Sequence, residues 1–187
     1  MGDDQRDEVR AGIEKFIGGA MGPASEAPEA VNSIMIRHWV EALDDRNPVY
    51  LDEDRAKKSR FGEIVAPPAM LQTWTMPSPI IEGIAERGGA PTEMSSDNVV
   101  TALDAAGYVG TLATNSELEF ERYLRPGDHL RTTSELESVS ERKKTGLGLG
   151  YFITWITTYT NGEDEVVGRQ LFRIFKFDPS TMGGVAK

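Results

Sequence analysis

The chain reads as an α+β protein, with helices in its first half and an antiparallel meander in its second. Three observations predict this. Up to Gly107 the apolar residues recur at helical spacing, and beyond it they alternate with polar ones. Turn sequences (Arg125-Pro126-Gly127-Asp128, Lys143 to Gly146, Asn161-Gly162) cut the second half into strand-length pieces. Finally, Pro68 to Thr75 is largely apolar, with Ala69, Met70, Leu71 and Trp74, which marks a buried helix for the sheet to wrap.

Asp3 to Ile17 is predicted as an amphipathic helix, with Val9, Ile13, Phe16 and Ile17 on one face and acidic residues at its N-terminus. Glycines and Pro23 end it, and Ser25 to Glu29 reads as a loop. Asn32 or Ser33 caps a second helix to about Leu43, apolar along Ile36, Trp39, Val40 and Leu43, with Met35 and His38 at its edges. Asp52 opens a short helix through Ser59. Proline suits a first helical turn, so Pro67-Pro68 starts the buried helix. Met76 to Ser96 is irregular, with room for a short helix at Ile80 to Ala85, and its length suggests a lid or binding loop. Asp97 is the expected cap of a helix from Asn98 to Ala106.

The first strand is expected to carry Leu118, Phe120, Arg122 and Leu124 on a core face, opposite Glu117, Glu119, Glu121 and Tyr123. His129 to Ser140 is the second strand, Gly148 to Thr160 the third and Val166 to Phe177 the fourth. Asp178-Pro179 ends the fourth. Three regions follow: residues 1–29, an N-terminal helix and loop; residues 30–178, the main domain; and residues 179–187, a disordered tail or linker.

The totals exclude several functions. A net charge of -10 argues against nucleic acid as a partner. Without cysteine there is no disulfide, thiolate nucleophile or Cys-ligated metal. No stretch approaches the roughly 20 apolar residues of a membrane span, and the charged N-terminus lacks a signal-peptide core, so a soluble cytoplasmic protein is expected.

Asp44 to Ala69, DDRNPVYLDEDRAKKSRFGEIVAPPA, carries the chemistry. Glu41 to Tyr50 resembles the hydratase motif of the MaoC-like hydratases and dehydratases, in their FAS1-like dehydratase branch, which reads G-D-x-N-P-x-H at its core. Asp52-Glu53, Ala56, Phe61-Gly62, Ala66-Pro67-Pro68 and Arg125 to Asp128 continue the likeness, over roughly Ala30 to Asp178. The resemblance implies a single hot-dog fold, an antiparallel sheet wrapped around a central helix, here with extra N-terminal helices. It also implies enoyl-thioester hydration, in which an aspartate and a histidine act on a water while a helix N-terminal N–H polarises the thioester carbonyl.

By position, Asp45 is the family's aspartate, Tyr50 stands in place of the histidine and Asp44 in place of the glycine. A phenol with a pKa of about 10 is a poor base at neutral pH. The chain is therefore expected to be a subunit rather than a catalyst by itself. A second hot-dog subunit, a smaller MaoC-like chain in a heterodimer or heterotetramer, would supply the Asp/His pair. Among family members the nearest likeness is to the large subunit of actinobacterial hydratases for steroid side chains, so the expected substrate is a bulky acyl-CoA. No cofactor and no metal are expected beyond the coenzyme A thioester itself. Asn47, Pro67, Pro68, Met70, Trp74 and Met76 are candidate substrate contacts, although Asp45 and Asn47 also read as turn formers and Met70 and Trp74 as core.

Neither His38 nor His129 obviously replaces the missing histidine. Arg142, Lys143 and Lys144 read as a solvated hairpin tip or as a site for coenzyme A phosphates. Gly146 to Gly150 reads as a sheet face left bare for close packing rather than a phosphate loop. The alternatives are a dehydratase subunit for carrier-protein thioesters in fatty-acid elongation, a self-sufficient homodimeric hydratase, a hot-dog thioesterase and a non-enzymatic acyl-CoA-binding scaffold.

Overall fold

The computed structural model describes residues 3–76, 81–83 and 97–182. The Met76 to Ser96 loop, the helix expected at Ile80 to Ala85, and residues 183–187 of the expected tail fall wholly or mostly outside these residues, whereas the tail's start, Pro179–Thr181, is an ordered 3-10 turn. The elements are α1 (Asp3–Glu14), β1 (Ser25–Glu26), α2 (Ser33–Ala42), α3 (Glu53–Lys57), a 3-10 helix (Pro68–Thr75), α4 (Val99–Ala105), β2 (Gly110–Phe120), β3 (Arg131–Val139), β4 (Lys143–Thr145), β5 (Gly148–Thr160) and β6 (Val166–Asp178). One-turn 3-10 helices lie at Pro48–Tyr50 and Pro179–Thr181.

The strands form one antiparallel sheet in the order β1-β3-β5-β6-β2, with β4 beside β5. One face of it carries two cores. The first surrounds the 3-10 helix: Met70, Leu71 and Trp74 meet Ile36 of α2 and Tyr159 of β5, with Trp39 of α2 packed against them. The second, toward the other end of β5, joins Ile13 of α1 and Leu103 of α4 to Ile153 and Ile174. Gly168 of β6 lets the central helix come close, because a Cβ there would lie 2.7 Å from Leu71 Cδ2.

Several boundaries differ from expectation. The helices end early, α1 at Glu14 and α3 at Lys57, and Ile17 and Leu43 are exposed. The N-cap of α4 is Asn98, not Asp97: its side chain accepts from the N–H groups of Val100 and Thr101, in a reciprocal box with Thr101. Ser25-Glu26 pairs with β3 instead of forming a loop. The expected Lys143 to Gly146 turn contains a short strand. β2 ends at Phe120, so Arg122 and Leu124 lie beyond it; Phe120 is exposed, Leu124 still reaches the first core, and Arg122 serves an ion-pair network rather than a core face.

Asn161-Gly162 does open a hairpin, but not as a two-residue turn. Residues 161–165 connect the strands, the Asn161 side chain accepts from the N–H groups of Glu163 and Glu165, and the left-handed residue is Asp164. The bare glycine face is filled by the chain itself: a Cβ on Gly150 would lie 2.8 Å from the Phe175 ring.

Candidate functional site

The site starts where α2 stops. Asn32 caps α2 by accepting from Met35 N–H at 2.9 Å, Ile36 anchors the helix in the first core, and Val40 is fully buried. At its end Asp45 N–H donates to Val40 O at 2.8 Å. The chain turns there through Asp44, whose φ of 51° lies in the left-handed region. A residue with a Cβ is strained in that region, which is the physical reason for a glycine at this motif position. Asp44 keeps its side chain occupied locally, accepting from Arg46 Nε at 2.9 Å.

Beyond the turn, three motif residues come together. Asp45 Oδ1 accepts from Asn47 N–H at 2.9 Å, and Asn47 Oδ1 accepts from Val49 N–H at 3.3 Å, capping the one-turn helix that Pro48 opens. That turn delivers Tyr50 half-buried against the first core. Burial, the nearby Tyr123 phenol and the Asp45 carboxylate push the Tyr50 phenol above its ordinary range, and a hydrogen bond with the Asn47 side chain only partly opposes them. At neutral pH Tyr50 is thus a neutral hydroxyl that can hold a water or donate a hydrogen bond.

The other predicted contacts divide. Pro67 is buried and Pro68 half-buried at the N-terminus of the central helix, while Met70 and Trp74 are fully packed in the core. Met76, at the other end of this helix, is 57% exposed. It borders a recess of about 180 Å³ between the two cores, with Thr75, Trp155, Phe172, Tyr159 and Gln170. Within this recess Tyr159 O–H donates to Gln170 Oε1 at 2.9 Å, and Gln170 Nε2 donates to Ser116 Oγ at 3.0 Å. Burial pushes the Tyr159 phenol up to about 12.

Sequence reasoning attached no site to Trp155, Phe172, Gln170 or Tyr159. Strand parity was the available signal, since all four lie on the face that meets the central helix. The histidines stand apart from the motif turn in their contacts. The His38 side chain is 73% exposed beside Glu41, and His129 borders a polar recess with Arg122, Arg125 and Asp128. Among the described residues no group of three or more His, Cys, Asp or Glu side chains could hold a metal ion.

Comparison with known proteins gives these features a context. Residues 16–170 match the model of the FAS1-like dehydratase domain region. The chain is 42% identical over 168 residues to a probable enoyl-CoA hydratase alpha subunit of Thermomonospora curvata, covering 89% of this chain and 51% of that protein. It is 40% identical over 163 residues to the 3-oxo-4,17-pregnadiene-20-carboxyl-CoA hydratase alpha subunit of Mycobacterium tuberculosis, covering 86% of this chain and 50% of that one. The chain spans about half the length of these curated relatives.

A chain of the ChsH1-ChsH2 complex from Mycobacterium tuberculosis superposes with a TM-score of 0.78 at 35% identity, over 93% of this chain and 98% of that one. The MaoC-like dehydratase from Rhodospirillum rubrum shares the fold alone, with a TM-score of 0.56 at 19% identity over 85% of this chain and 93% of that one. The antiparallel sheet around its central helix is the hot-dog arrangement of these structures.

Proposed function

The chain belongs to the family of FAS1-like dehydratase domains, and from that premise we propose that it is one subunit of a heteromeric enoyl-CoA hydratase acting on a bulky acyl-CoA. The observation that carries this reading is Tyr50 beside Asp45. Hydration needs a base to take a proton from water as the oxygen bonds to the β-carbon. The displaced electrons develop charge on the thioester oxygen, which an N–H stabilises, and an acid then protonates the α-carbon. A phenol held above its ordinary pKa is not that base at neutral pH.

The base and acid therefore come from an Asp/His pair on a second, smaller hot-dog chain, in a heterodimer or heterotetramer. This chain's Asp45, Asn47 and Tyr50 shape and hydrate the wall of the shared site. The recess beside Trp155, Phe172 and Met76, at about 180 Å³, supplies part of the wall for a large acyl group, and the name of the mycobacterial relative supports a steroid side chain as its class. Coenzyme A enters as part of the substrate, with no separate cofactor. No described helix is long and apolar enough to cross a membrane, and a cytoplasmic location is part of the proposal.

The test is co-expression with a small hot-dog chain from the same organism and an enoyl-CoA hydration assay of each chain and of the complex. Turnover by the complex alone, with Asp45→Asn in this chain changing kcat less than about threefold, is the expected result. Hydration by this chain alone, abolished by Asp45→Asn, would overturn it in favour of a self-sufficient site. Release of free thiol would point to a thioesterase, and binding without turnover to a scaffold.

A further inference from the structure

We propose that Arg60, with Lys58 beside it, forms an anion subsite that takes a phosphate of the pantetheine-bearing carrier, in the first place the nucleotide end of coenzyme A. This rests on the reading that the thioester lies at the Asp45–Tyr50 turn. Three features of the structure support it.

The first is how Arg60 is held. Its guanidinium carbon lies 4.8 Å from the centre of the Phe61 ring and 5.9 Å from that of Tyr123, and the two rings are 4.5 Å apart. A guanidinium stacked on aromatic faces keeps its N–H edge free while its rotamers are restricted, so less entropy is lost when that edge binds an anion. The second is charge. The neighbouring cations are already matched: Arg55 lies 3.9 Å from Asp52, Lys57 3.5 Å from Glu53 and Arg125 3.1 Å from Glu63. Arg60 and Lys58 are exposed, and neither forms an ion pair with any described residue. Against them stands one acid of residues 52–63 without an ion pair among the described residues, Asp54, so the segment is locally neutral, and with Arg125 positive by one, in a chain of net charge -10.

The third is place. Helix α3, which ends one residue before Lys58, packs against the one-turn helix Pro48–Tyr50, so the two cations follow directly on an element that touches the motif turn. The other cationic cluster, Arg142 to Lys144, does not share this position. Lys143 pairs with Gly150, whereas Tyr50 packs on the core that contains Tyr159. Nine residues of extended strand separate Gly150 from Tyr159, about 30 Å at 3.3 Å per residue. The hairpin tip is too distant to hold the same phosphate, so the structure moves this role from Arg142–Lys144 to Lys58 and Arg60.

The test compares thioesters of one acyl group on three carriers, coenzyme A, phosphopantetheine and N-acetylcysteamine, which has no phosphate. The enzyme is the co-expressed complex, wild type or with Arg60→Gln or Lys58→Gln, and Arg142→Gln serves as the control. Arg60→Gln is expected to lower the preference in kcat/KM for the coenzyme A thioester over the N-acetylcysteamine thioester by roughly tenfold, the size of one exposed charge-assisted hydrogen bond. Lys58→Gln should lower it by less, and Arg142→Gln should leave it unchanged.

If the phosphopantetheine thioester loses the same factor, the bound group is the phosphate that a carrier protein shares. If only the coenzyme A thioester does, it is the nucleotide end. An unchanged preference in Arg60→Gln overturns the proposal. Calorimetric titration of the complex with free coenzyme A separates this from the functional reading. Binding weakened by Arg60→Gln in a complex that hydrates nothing keeps the subsite and removes the hydratase, and Arg60-independent binding removes the subsite.

Discussion

Replacing Gly168 with alanine puts a methyl group where two neighbours already stand. The added Cβ would lie 2.7 Å from Glu119 O, on the edge strand, and 2.7 Å from Leu71 Cδ2, on the central helix. Carbon atoms pack at about 3.5–4.0 Å, so Leu71 has to retreat by about 1 Å. It is nearly fully buried between Met70 and the sheet and has little space to enter. Overpacking of this kind costs about 1–3 kcal/mol, and alanine recovers about 0.5–1 kcal/mol of the glycine's chain entropy. The expected net loss is about 1–2 kcal/mol.

A double-mutant cycle isolates the cause. Leu71→Ala alone should cost about 2–5 kcal/mol through the cavity it leaves. With Leu71 truncated the methyl meets only Glu119 O, so Gly168→Ala should cost at least about 0.5 kcal/mol less in that background. Urea unfolding followed by circular dichroism at constant m-value measures all four corners. Additivity of the two changes within about 0.3 kcal/mol would refute the idea that Gly168 is there to admit the helix.

Three further perturbations follow from the same structure. Burial raises the Asp128 carboxyl, but two hydrogen bonds from Arg122, at 2.8 and 3.0 Å, and the Arg125 N–H outweigh it and hold the group below its ordinary pKa. Its stabilisation is present above the unfolded value near pH 4 and is lost as pH falls through the folded value. Arg122→Gln should therefore cost about 1–3 kcal/mol at pH 7 and less at pH 2–3, read as a raised acid-unfolding midpoint.

Tyr159, pushed up to about 12 by burial, favours the folded state below about pH 10 and loses that contribution as pH rises toward 12. Its phenol should appear in an ultraviolet titration only near pH 12, and Tyr159→Phe should remove that late step. Asp44→Gly should be neutral or stabilising by up to about 1 kcal/mol, whereas Asp44→Ala should be about 1 kcal/mol worse than glycine. Thermal unfolding of the two variants compares them directly.

Much of the fold was legible because its signals are local. The Asn32 cap, the apolar face of α2, the Pro67-Pro68 start and the alternation in β5 and β6 each follow from a short window of sequence. Misplacements occurred where a distant partner decides the outcome. The α4 cap is the exception, a local choice: Asn98 wins over Asp97 because Thr101, three residues on, closes the box from inside the helix. Ser25-Glu26 becomes a strand only because β3 offers it an edge. Arg122 has the right parity for a core face, yet its charge is claimed by Asp128 and Glu165 after the strand has ended.

The candidate site divides in the same way. Asp45, Asn47 and Tyr50 lie within one turn and were readable as a motif. The stack of Arg60 on Tyr123 and the recess between Trp155 and Phe172 depend on contacts across the sheet, and no spacing rule announces them.

The edge of the sheet bears on the choice between like and unlike partners. β2 has nearly all its residues exposed or half-exposed, among them Leu112 at 47% and Phe120 at 44%. Its outer edge pairs with no other strand among the described residues. An open edge of this length is a template for another chain. Glu117 and Glu119 occupy one face of it, paired with Leu171 and Arg169 of β6, and the Arg169 side chain turns to Glu121, at 2.8 Å. Neither Glu117 nor Glu119 has an ion-pair partner among the described residues. A second copy of the same strand laid antiparallel in the register centred on Leu118 would set Glu117 against Glu119 twice, which is destabilising across a strand pair. A different strand bearing neutral or basic residues meets no such penalty. In that register the charge on the edge favours an unlike partner, which is what the proposed heteromer requires.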